Sequence, residues 1–103
     1  MGGKEAQPVE DSAETWWLYV LECQGGVLYT GITKDVDARS EAHVKGLGAM
    51  FTRLNRPLRI LGRAAIATKG AALRVEYALK QVSRADKLLW CAKGLESFVL
   101  DAQ

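Results

Sequence analysis

The sequence predicts an α+β domain in which a small sheet carries packed helices. Its first part has the pattern of two short strands joined at Gly25 and Gly26, and glycine accepts the positive φ that a tight hairpin turn needs. A third strand-like segment follows Pro57, after an intervening helical segment. Two further helical segments, rich in Ala, Leu and Lys, come after it. This order gives an antiparallel pair of strands with helices packed on the sheet.

The hairpin is the best-defined part of the pattern. Residues 16–23 form the first strand, and because both of its faces are largely apolar we place it near the middle of the sheet. The return strand covers residues 27–32, where Gly31 indicates close approach by another backbone or by a ligand. Each strand carries one tyrosine, Tyr19 and Tyr29. These two tyrosines are the centre of the functional hypothesis below.

The later elements are placed by capping residues and by periodicity. Thr33 or Asp35 caps the first helix, which runs to about residue 45 before Gly46. The basic, Gly-rich stretch that follows is too long for an ordinary turn, so we expect a functional loop that ends at Pro57. The order is completed by a third strand over residues 58–67 and by helices over residues 69–82 and 84–93.

The chain of 103 residues suits one domain, which we place at residues 16–94. Residues 1–15 are polar and acidic and are expected to be a disordered tail, and residues 95–103 a short C-terminal tail whose apolar residues dock back. No apolar run approaches the roughly 20 residues of a membrane span, and no export signal is evident, so a cytoplasmic location is expected. A monomer is the favoured oligomeric state. Cys23 and Cys91 pair with no histidine at metal spacing and are expected to be reduced, partly buried thiols.

Charge is distributed unevenly along the chain. The net charge is +2, but Lys4 stands against four acids in residues 1–15, which therefore carry −3 and leave +5 for the rest. No acid lies between Glu41 and Glu76, a span that holds seven basic residues. Such a one-signed stretch attracts polyanions. The alternative is a solvated surface whose acids come from elsewhere in the fold.

Polar residues stand where helices turn toward the sheet. Arg39 and His43 are one turn apart on the first helix and can point to one spot. Alternatively, Arg39 extends to solvent and His43 is a cation at the end of the helix. Glu76 lies at the edge of an apolar stripe on a later helix, where its carboxylate could bind a hard divalent cation. Equally, it could form an i,i+4 pair with Lys80.

Together these residue types suit phosphodiester hydrolysis. That reaction needs a deprotonated water, stabilisation of charge at phosphorus and stabilisation of the negative charge on the leaving oxygen. Tyr or His can act as the base, Arg can hold the phosphorane, and Glu with a metal can serve the leaving group. Each group alone is a weak signal, and the hypothesis depends on their joint presence.

The segment WLYVLECQGGVLYTGITKDVDARSEAH resembles the opening of GIY-YIG nuclease domains, particularly the small stand-alone bacterial proteins of that superfamily. Trp17-Leu18-Tyr19 and Tyr29-Thr30-Gly31 correspond to the two signature triplets. Further matches lie in the Gly-rich loop at Gly46, Gly48, Ala49, Thr52, Arg53, Arg56 and Pro57, and in the later helix pair around Glu76, Lys80, Ser83, Arg84 and Lys87. The resemblance covers about residues 16–89.

The resemblance implies a three-stranded antiparallel sheet flanked by helices and a role for each site residue. Tyr19 and Tyr29 line the site, and one of them, or His43, assists deprotonation of water; Arg39 stabilises the scissile phosphate. Glu76 would hold a single Mg²⁺ or Mn²⁺. The residues expected to bind the substrate are Gly31, Thr33, Lys45, Arg53, Arg56 and Lys80.

Two departures from the family pattern stand out. Trp17 occupies the position where the first signature has glycine, which makes the inner surface of the site bulkier. Larger family nucleases also have an asparagine after the glutamate helix, whereas Asn55 is the only asparagine in this chain and lies in the loop. Lys80 or Ser83 is the available substitute.

Three functions therefore follow as hypotheses. The first is a metal-dependent endonuclease or related phosphodiesterase acting on DNA, selective for single-stranded or branched structure rather than for sequence. The resemblance places such an activity in DNA repair or processing. The second is a non-catalytic nucleic-acid-binding module that keeps the fold and the basic loop. The third is a protein-interaction domain, against which the basic stretch argues.

Overall fold

The computed structural model describes residues 15–48 and 50–102. Three strands form one antiparallel sheet: β1 (Trp16–Cys23), β2 (Leu28–Thr33) and β3 (Pro57–Ile66). Five helices follow the chain as α1 (Val36–Val44), α2 (Met50–Leu54), α3 (Lys69–Lys80), α4 (Arg84–Lys93) and α5 (Leu95–Ala102). The predicted fold class, a three-stranded antiparallel sheet flanked by helices, is confirmed. Of the expected tail at residues 1–15, only Thr15 is among the described residues.

The sheet has the order β2-β1-β3, so β1 is the central strand, as its two apolar faces predicted. The hairpin turn is a short 3-10 helix in which Gly25 and Gly26 have φ values of 81° and 77°. These values lie in the left-handed region that glycine tolerates without a steric penalty. The backbone N–H of Cys23 donates to the carbonyl of Val27 at 2.9 Å and closes the turn.

The two faces of the sheet support two separate apolar clusters. One cluster joins the sheet to α3 and α5, through Leu18, Val20, Ala64, Ile66, Ala71, Ala72, Val75, Leu79, Leu95, Phe98 and Val99. The other lies on the α1 side, through Tyr19, Leu21, Cys23 and Val36. Alternate residues of β1 therefore feed opposite faces, as the period of a strand requires.

Residues 95–102 form α5, where the sequence was expected to give a short tail. Leu95, Phe98 and Val99 are buried in the larger cluster, whereas Leu100 is 76% exposed. Leu95 fits against β3 because Gly62 has no side chain: a Cβ there would lie 3.2 Å from Leu95 Cγ. The spacing i, i+3, i+4 of the three buried residues gives this helix one apolar face.

The first helix begins as predicted at Asp35, whose side chain accepts a hydrogen bond from the Ala38 N–H at 3.1 Å. Thr33 contributes to the same turn, since its hydroxyl accepts from the Asp35 N–H at 3.2 Å. The Gly-rich stretch after α1 is not wholly a loop, because residues 50–54 form the short helix α2. This correction matters because α2 carries Thr52, which is 1% exposed and faces the inside of the protein.

Candidate active site

Tyr19 lies at the centre of the site predicted from the sequence. It is 1% exposed, it lies on the α1 side of the sheet, and its hydroxyl is 3.1 Å from Nε2 of His43. In the sheet Tyr19 lies opposite Gly31 on β2. A Cβ at Gly31 would lie 2.7 Å from the Tyr19 hydroxyl oxygen. Close approach at Gly31 was expected from a backbone or a ligand; it is made by the phenol of Tyr19.

Replacing Gly31 by alanine is therefore expected to displace the Tyr19 hydroxyl. The neighbour within 2.7 Å is a rigid ring on the central strand, so it cannot rotate away cheaply. We expect Gly31→Ala to lower the unfolding free energy by about 1–3 kcal/mol, as overpacking does. Denaturant unfolding measures this directly. The matched control is Gly70→Ala in the exposed first turn of α3, where the nearest atom is 3.7 Å away and alanine favours the helix. Equal unfolding free energies for Gly31→Ala and wild type would contradict the expectation.

His43 is held by two hydrogen bonds and not by solvent. It is 1% exposed, and its Nδ1 is 2.6 Å from Thr52 Oγ1 while Nε2 faces Tyr19. Burial, and then the nearby charge of Arg39, lower the pKa of His43 below its ordinary value. The backbone at Gly48 lies against the ring so closely that a Cβ there would overlap Nδ1. Burial therefore favours the neutral form of His43, whereas the alternative of a helix-end cation requires solvent exposure that the ring does not have.

This neutrality has a measurable pH dependence. Because the pKa of His43 is lower in the folded protein than the ordinary 6.5, only the unfolded chain takes up the proton as the pH first falls below 6.5. The stability is therefore complete above pH 6.5 and declines below it, down to the lowered pKa. His43 is the single histidine of the chain, so its Cε1–H resonance can be followed by NMR without ambiguity. We expect a midpoint below 6.5, and a midpoint at or above 6.5 would contradict the buried, neutral assignment.

Tyr29 completes an aromatic wall with Tyr19 and His43. The ring centroid of Tyr29 is 4.9 Å from that of His43 and 6.2 Å from that of Tyr19. Tyr29 is only partly buried, so the wall reaches the protein surface at β2. The wall gives the site one apolar, rigid side next to the Tyr19 hydroxyl.

Arg39 and Glu76, on two different helices, both act on the pKa of Tyr19. The pKa of Tyr19 is raised to about 12, mainly by burial and then by the neighbouring Tyr29. Arg39 lowers this pKa through a hydrogen bond and through its charge, and the charge of Glu76 raises it slightly. Arg39 is partly buried. Of the five residues predicted as catalytic, Tyr29 and His43 pack around Tyr19, and the charges of Arg39 and Glu76 act on its pKa.

The Glu76 carboxylate also forms the i,i+4 pair with Lys80 that the sequence allowed as an alternative to metal binding. Its Oε2 is 3.4 Å from Lys80 Nζ, in an i,i+4 pair, and its side chain is 19% exposed. The partner lysine is half exposed. The two predictions for Glu76 are thus compatible, since the carboxylate pairs with Lys80 and still lies near enough to act on the Tyr19 pKa.

The donor set around Glu76 suits one kind of metal ion. Across residues 15–48 and 50–102 no three His, Cys, Asp or Glu side chains lie together as a metal cage. Mg²⁺ does not need such a cage, because it keeps several waters and commonly binds through one or two carboxylates and the phosphates of its substrate. Mn²⁺ accepts the same oxygen donors. A single carboxylate such as that of Glu76 is therefore compatible with these ions, and it does not fit a closed structural zinc site.

Three of the predicted substrate-binding residues lie on the other side of His43. A cavity of about 180 Å³ there is lined by His43, Val44, Lys45, Gly46, Thr52, Arg53 and Arg56. Arg56 also donates to the carbonyl of Val44 at 3.4 Å. Thr33 differs, since its hydroxyl is already engaged in the helix cap.

The basic stretch of the sequence is partly neutralised in the fold. Arg59 Nε is 2.6 Å from Glu22 Oε1, and Arg63 is 3.4 Å from Asp37. Here the alternative of acids supplied from elsewhere is correct, because strand pairing and α1 bring them in. Among the cations around the cavity beside His43, Lys45 is 3.7 Å from Glu41, whereas Arg53 and Arg56 face a lining that contains no acid.

Thr52 and Gly48 contact His43 but are not among the site residues predicted from the sequence. Both belong to the Gly-rich motif, so the sequence contained a signal, but the contact of Thr52 with His43 depends on the short helix α2. Trp17 is partly buried and packs against the cluster of Tyr19, Leu21, Cys23 and Val36. Its bulk therefore adds to the apolar floor next to the site.

Comparison with known proteins identifies the family of this chain. The model of the GIY-YIG catalytic domain matches residues 15–89. The chain belongs to the GIY-YIG family. Among similar proteins, the UPF0213 protein Reut_B5558 of Cupriavidus pinatubonensis is 51% identical over 78 residues, which are 76% of this chain and 87% of that protein.

Other relatives of this GIY-YIG chain come from distant bacteria. A UPF0213 protein of Staphylococcus aureus is 40% identical over 75 residues, covering 73% of this chain and 92% of that one. The solution NMR structure of the UPF0213 protein BH0048 from Bacillus halodurans is 38% identical, with a TM-score of 0.48, over 84% of this chain and 93% of that chain.

None of the described helices is both long enough and apolar enough to span a bilayer. Cys23 and Cys91 are free thiols.

Proposed function

We propose that this protein is a metal-dependent endonuclease, or a closely related phosphodiesterase, that hydrolyses phosphodiester bonds of DNA. The observation that carries the proposal is the buried Tyr19 hydroxyl, which lies 3.1 Å from His43 Nε2 and whose pKa is lowered by Arg39 and raised by Glu76. Membership of the GIY-YIG family supports the same reaction class. The residues proposed as catalytic are Tyr19, Tyr29, Arg39, His43 and Glu76.

The proton of the attacking water is proposed to leave through Tyr19 to His43. A phenol whose pKa is about 12 stays protonated at neutral pH, so Tyr19 is a poor free base. Its hydroxyl can, however, accept the water proton while it passes its own proton to His43. We propose that Nδ1 of His43 carries the proton and donates it to Thr52, and in this tautomer Nε2 is the acceptor that faces Tyr19. The neutral state of His43 at pH 7 makes it able to accept.

Charge that develops at phosphorus is proposed to be stabilised by Arg39. A guanidinium matches phosphate oxygens in geometry and stays charged at all relevant pH values. Glu76 would hold Mg²⁺ or Mn²⁺, which when bound supplies positive charge beside the scissile phosphate and the leaving oxygen. Tyr29 shields one side of the site and keeps the Tyr19–His43 pair away from bulk water.

The wider contact with DNA is proposed to be electrostatic. Lys45, Arg53 and Arg56 line a cavity next to His43 and can bind phosphates of the same nucleic acid. Few base-reading groups accompany them, so selectivity for flaps, branches or single strands is more consistent with the surface than selectivity for sequence. Affinity should then fall steeply with salt. Action as a monomer in the cytoplasm, in DNA repair or processing, completes the proposal.

A plasmid-nicking assay tests the proposal. Supercoiled DNA incubated with the protein in Mg²⁺ should accumulate the open circular form, and EDTA should stop this. Gel retardation at low salt, run on the same samples, reports binding separately. The Glu76–Lys80 pair favours one rival, a non-catalytic nucleic-acid-binding module, because the pair occupies the carboxylate. Salt-sensitive binding without nicking at any Mg²⁺ or Mn²⁺ concentration would establish that rival instead.

A further inference from the structure

A second cavity, of about 240 Å³, opens at the edge strand β2 beside the turn between α3 and α4. Its lining residues are Leu28, Tyr29, Thr30, Lys80 and Lys87. Two of them connect it to the candidate active site: Tyr29 is part of the aromatic wall, and Lys80 is paired with Glu76. The cavity is thus a neighbour of that site and a separate space.

Thr30 lines the cavity and has a buried hydroxyl without a hydrogen-bond partner in the described part of the chain. The residue is 3% exposed, and its Oγ1 is the one buried side-chain polar atom for which the described part of the chain supplies no hydrogen-bond partner. Buried hydroxyls are normally paired, so the Thr30 hydroxyl is able to donate a hydrogen bond to an acceptor that enters the cavity. A phosphate oxygen at this position would accept the hydrogen bond that the protein leaves unmade.

Two lysines supply positive charge to the same space. Lys87 is partly buried, and burial is the main cause that lowers its pKa; Cys91 opposes this effect and the charge of Lys80 adds to it. The cost of bringing two ammonium groups together is recovered when an anion lies between them. No acid is among the lining residues, whereas Leu28 and Tyr29 offer apolar surface that suits a sugar.

We propose that this cavity binds the phosphodiester group next to the scissile one on the same nucleic-acid strand, through Lys87, Lys80 and the Thr30 hydroxyl. The inference rests on the proposed function. The strand would pass along Tyr29, which borders the catalytic spot on one side and this cavity on the other. Lys87 acts here as a substrate-binding residue that fixes the register of the strand.

The first test compares Lys87→Gln with Lys93→Gln in binding of a short single-stranded DNA, measured by fluorescence anisotropy over a range of salt. Lys93 is on the same helix, is exposed and packs over Trp90, so it controls for the change in net charge. Loss of a charged contact should weaken binding by Lys87→Gln about tenfold and reduce the salt slope by about 0.7. Equal affinities and slopes for the two variants would overturn the inference, and so would wild-type protein that binds no DNA.

The second test uses Thr30→Val, which removes the hydroxyl and keeps the shape. An unpaired buried hydroxyl destabilises the free protein, so this variant should have a higher Tm than the wild type, yet weaker DNA binding. A merely structural Thr30 would give the higher Tm with unchanged affinity, and that result counts against the proposal. Because Tm and affinity are expected to move in opposite directions, misfolding cannot imitate the expected result.

The plasmid assay on the same variants separates the two proposals. If Lys87→Gln binds DNA and nicks it in Mg²⁺ as the wild type does, the proposed phosphodiester subsite is wrong. The proposed nuclease activity is then unaffected. Binding that depends on Lys87 and Thr30, in a wild-type protein that never nicks, overturns the nuclease and supports the subsite.

Discussion

Glu76→Gln is expected to lose metal-dependent cleavage while it keeps the fold and the affinity for DNA. The amide is isosteric but neutral, so it cannot hold Mg²⁺ as the carboxylate would. Removing the contribution of a catalytic metal costs several kcal/mol, which corresponds to a fall of about 10²–10³-fold in the single-turnover rate. The measurement is the nicking rate at saturating protein across a Mg²⁺ titration, with DNA affinity determined in parallel.

The matched control for that variant lies on another helix. Glu41 on α1 forms an i,i+4 pair with Lys45 at 3.7 Å, as Glu76 does with Lys80, but it is exposed. Glu41→Gln therefore makes the same change in charge and breaks the same kind of pair, and it should nick as the wild type does. Equal nicking by Glu76→Gln and Glu41→Gln would show that the Glu76 carboxylate has no part in the reaction.

Tyr19→Phe is expected to have the other large effect, because it removes the hydroxyl at the centre of the site. Loss of a general acid–base group costs about 10²–10⁴-fold in rate. The variant also leaves Nε2 of His43 buried without its Tyr19 partner, which lowers the unfolding free energy by about 1–3 kcal/mol. Rates are therefore to be measured at a temperature where denaturant unfolding shows the variant to be folded.

Tyr77→Phe provides the control for the loss of a phenol. Tyr77 is on α3 and is 70% exposed, so its hydroxyl should be dispensable for both stability and cleavage. The wild-type pH–rate profile adds a second readout, since its acid limb should fall below pH 6.5, where the buried His43 becomes protonated. A folded Tyr19→Phe that nicks at the rate of Tyr77→Phe would exclude the proposed proton path.

The fold was largely predictable because its strongest elements obey local rules. Gly25 and Gly26 specify the turn through their positive φ values, and the two apolar faces of residues 16–23 specify a central strand. The helix at residues 95–102 escaped prediction, although Leu95, Phe98 and Val99 have helical spacing. Its stability comes from packing against β3 at Gly62, a contact that connects distant parts of the chain.

The site was predictable to the extent that it depends on spacing within one element. Arg39 and His43 share a helix face, so their convergence follows from the sequence. The neutral state of His43 does not, because it depends on burial and on Thr52 from a segment that was expected to be a loop. The position of Lys87 beside Lys80 could not be predicted from the sequence either, because it depends on the turn between two helices. The room that Gly31 leaves for Tyr19 requires the register of the hairpin.

The most direct test of the central claim is the single-turnover cleavage rate of Arg39→Ala with DNA affinity measured on the same preparation. Arg39, on α1, acts on the pKa of Tyr19, and its proposed task is to stabilise charge in the transition state. Removal of one such donor should lower the rate about 10²–10³-fold. DNA affinity should change only a few fold, because other cations supply most of the phosphate contacts. A folded Arg39→Ala that cleaves DNA in Mg²⁺ at the wild-type rate would contradict the account.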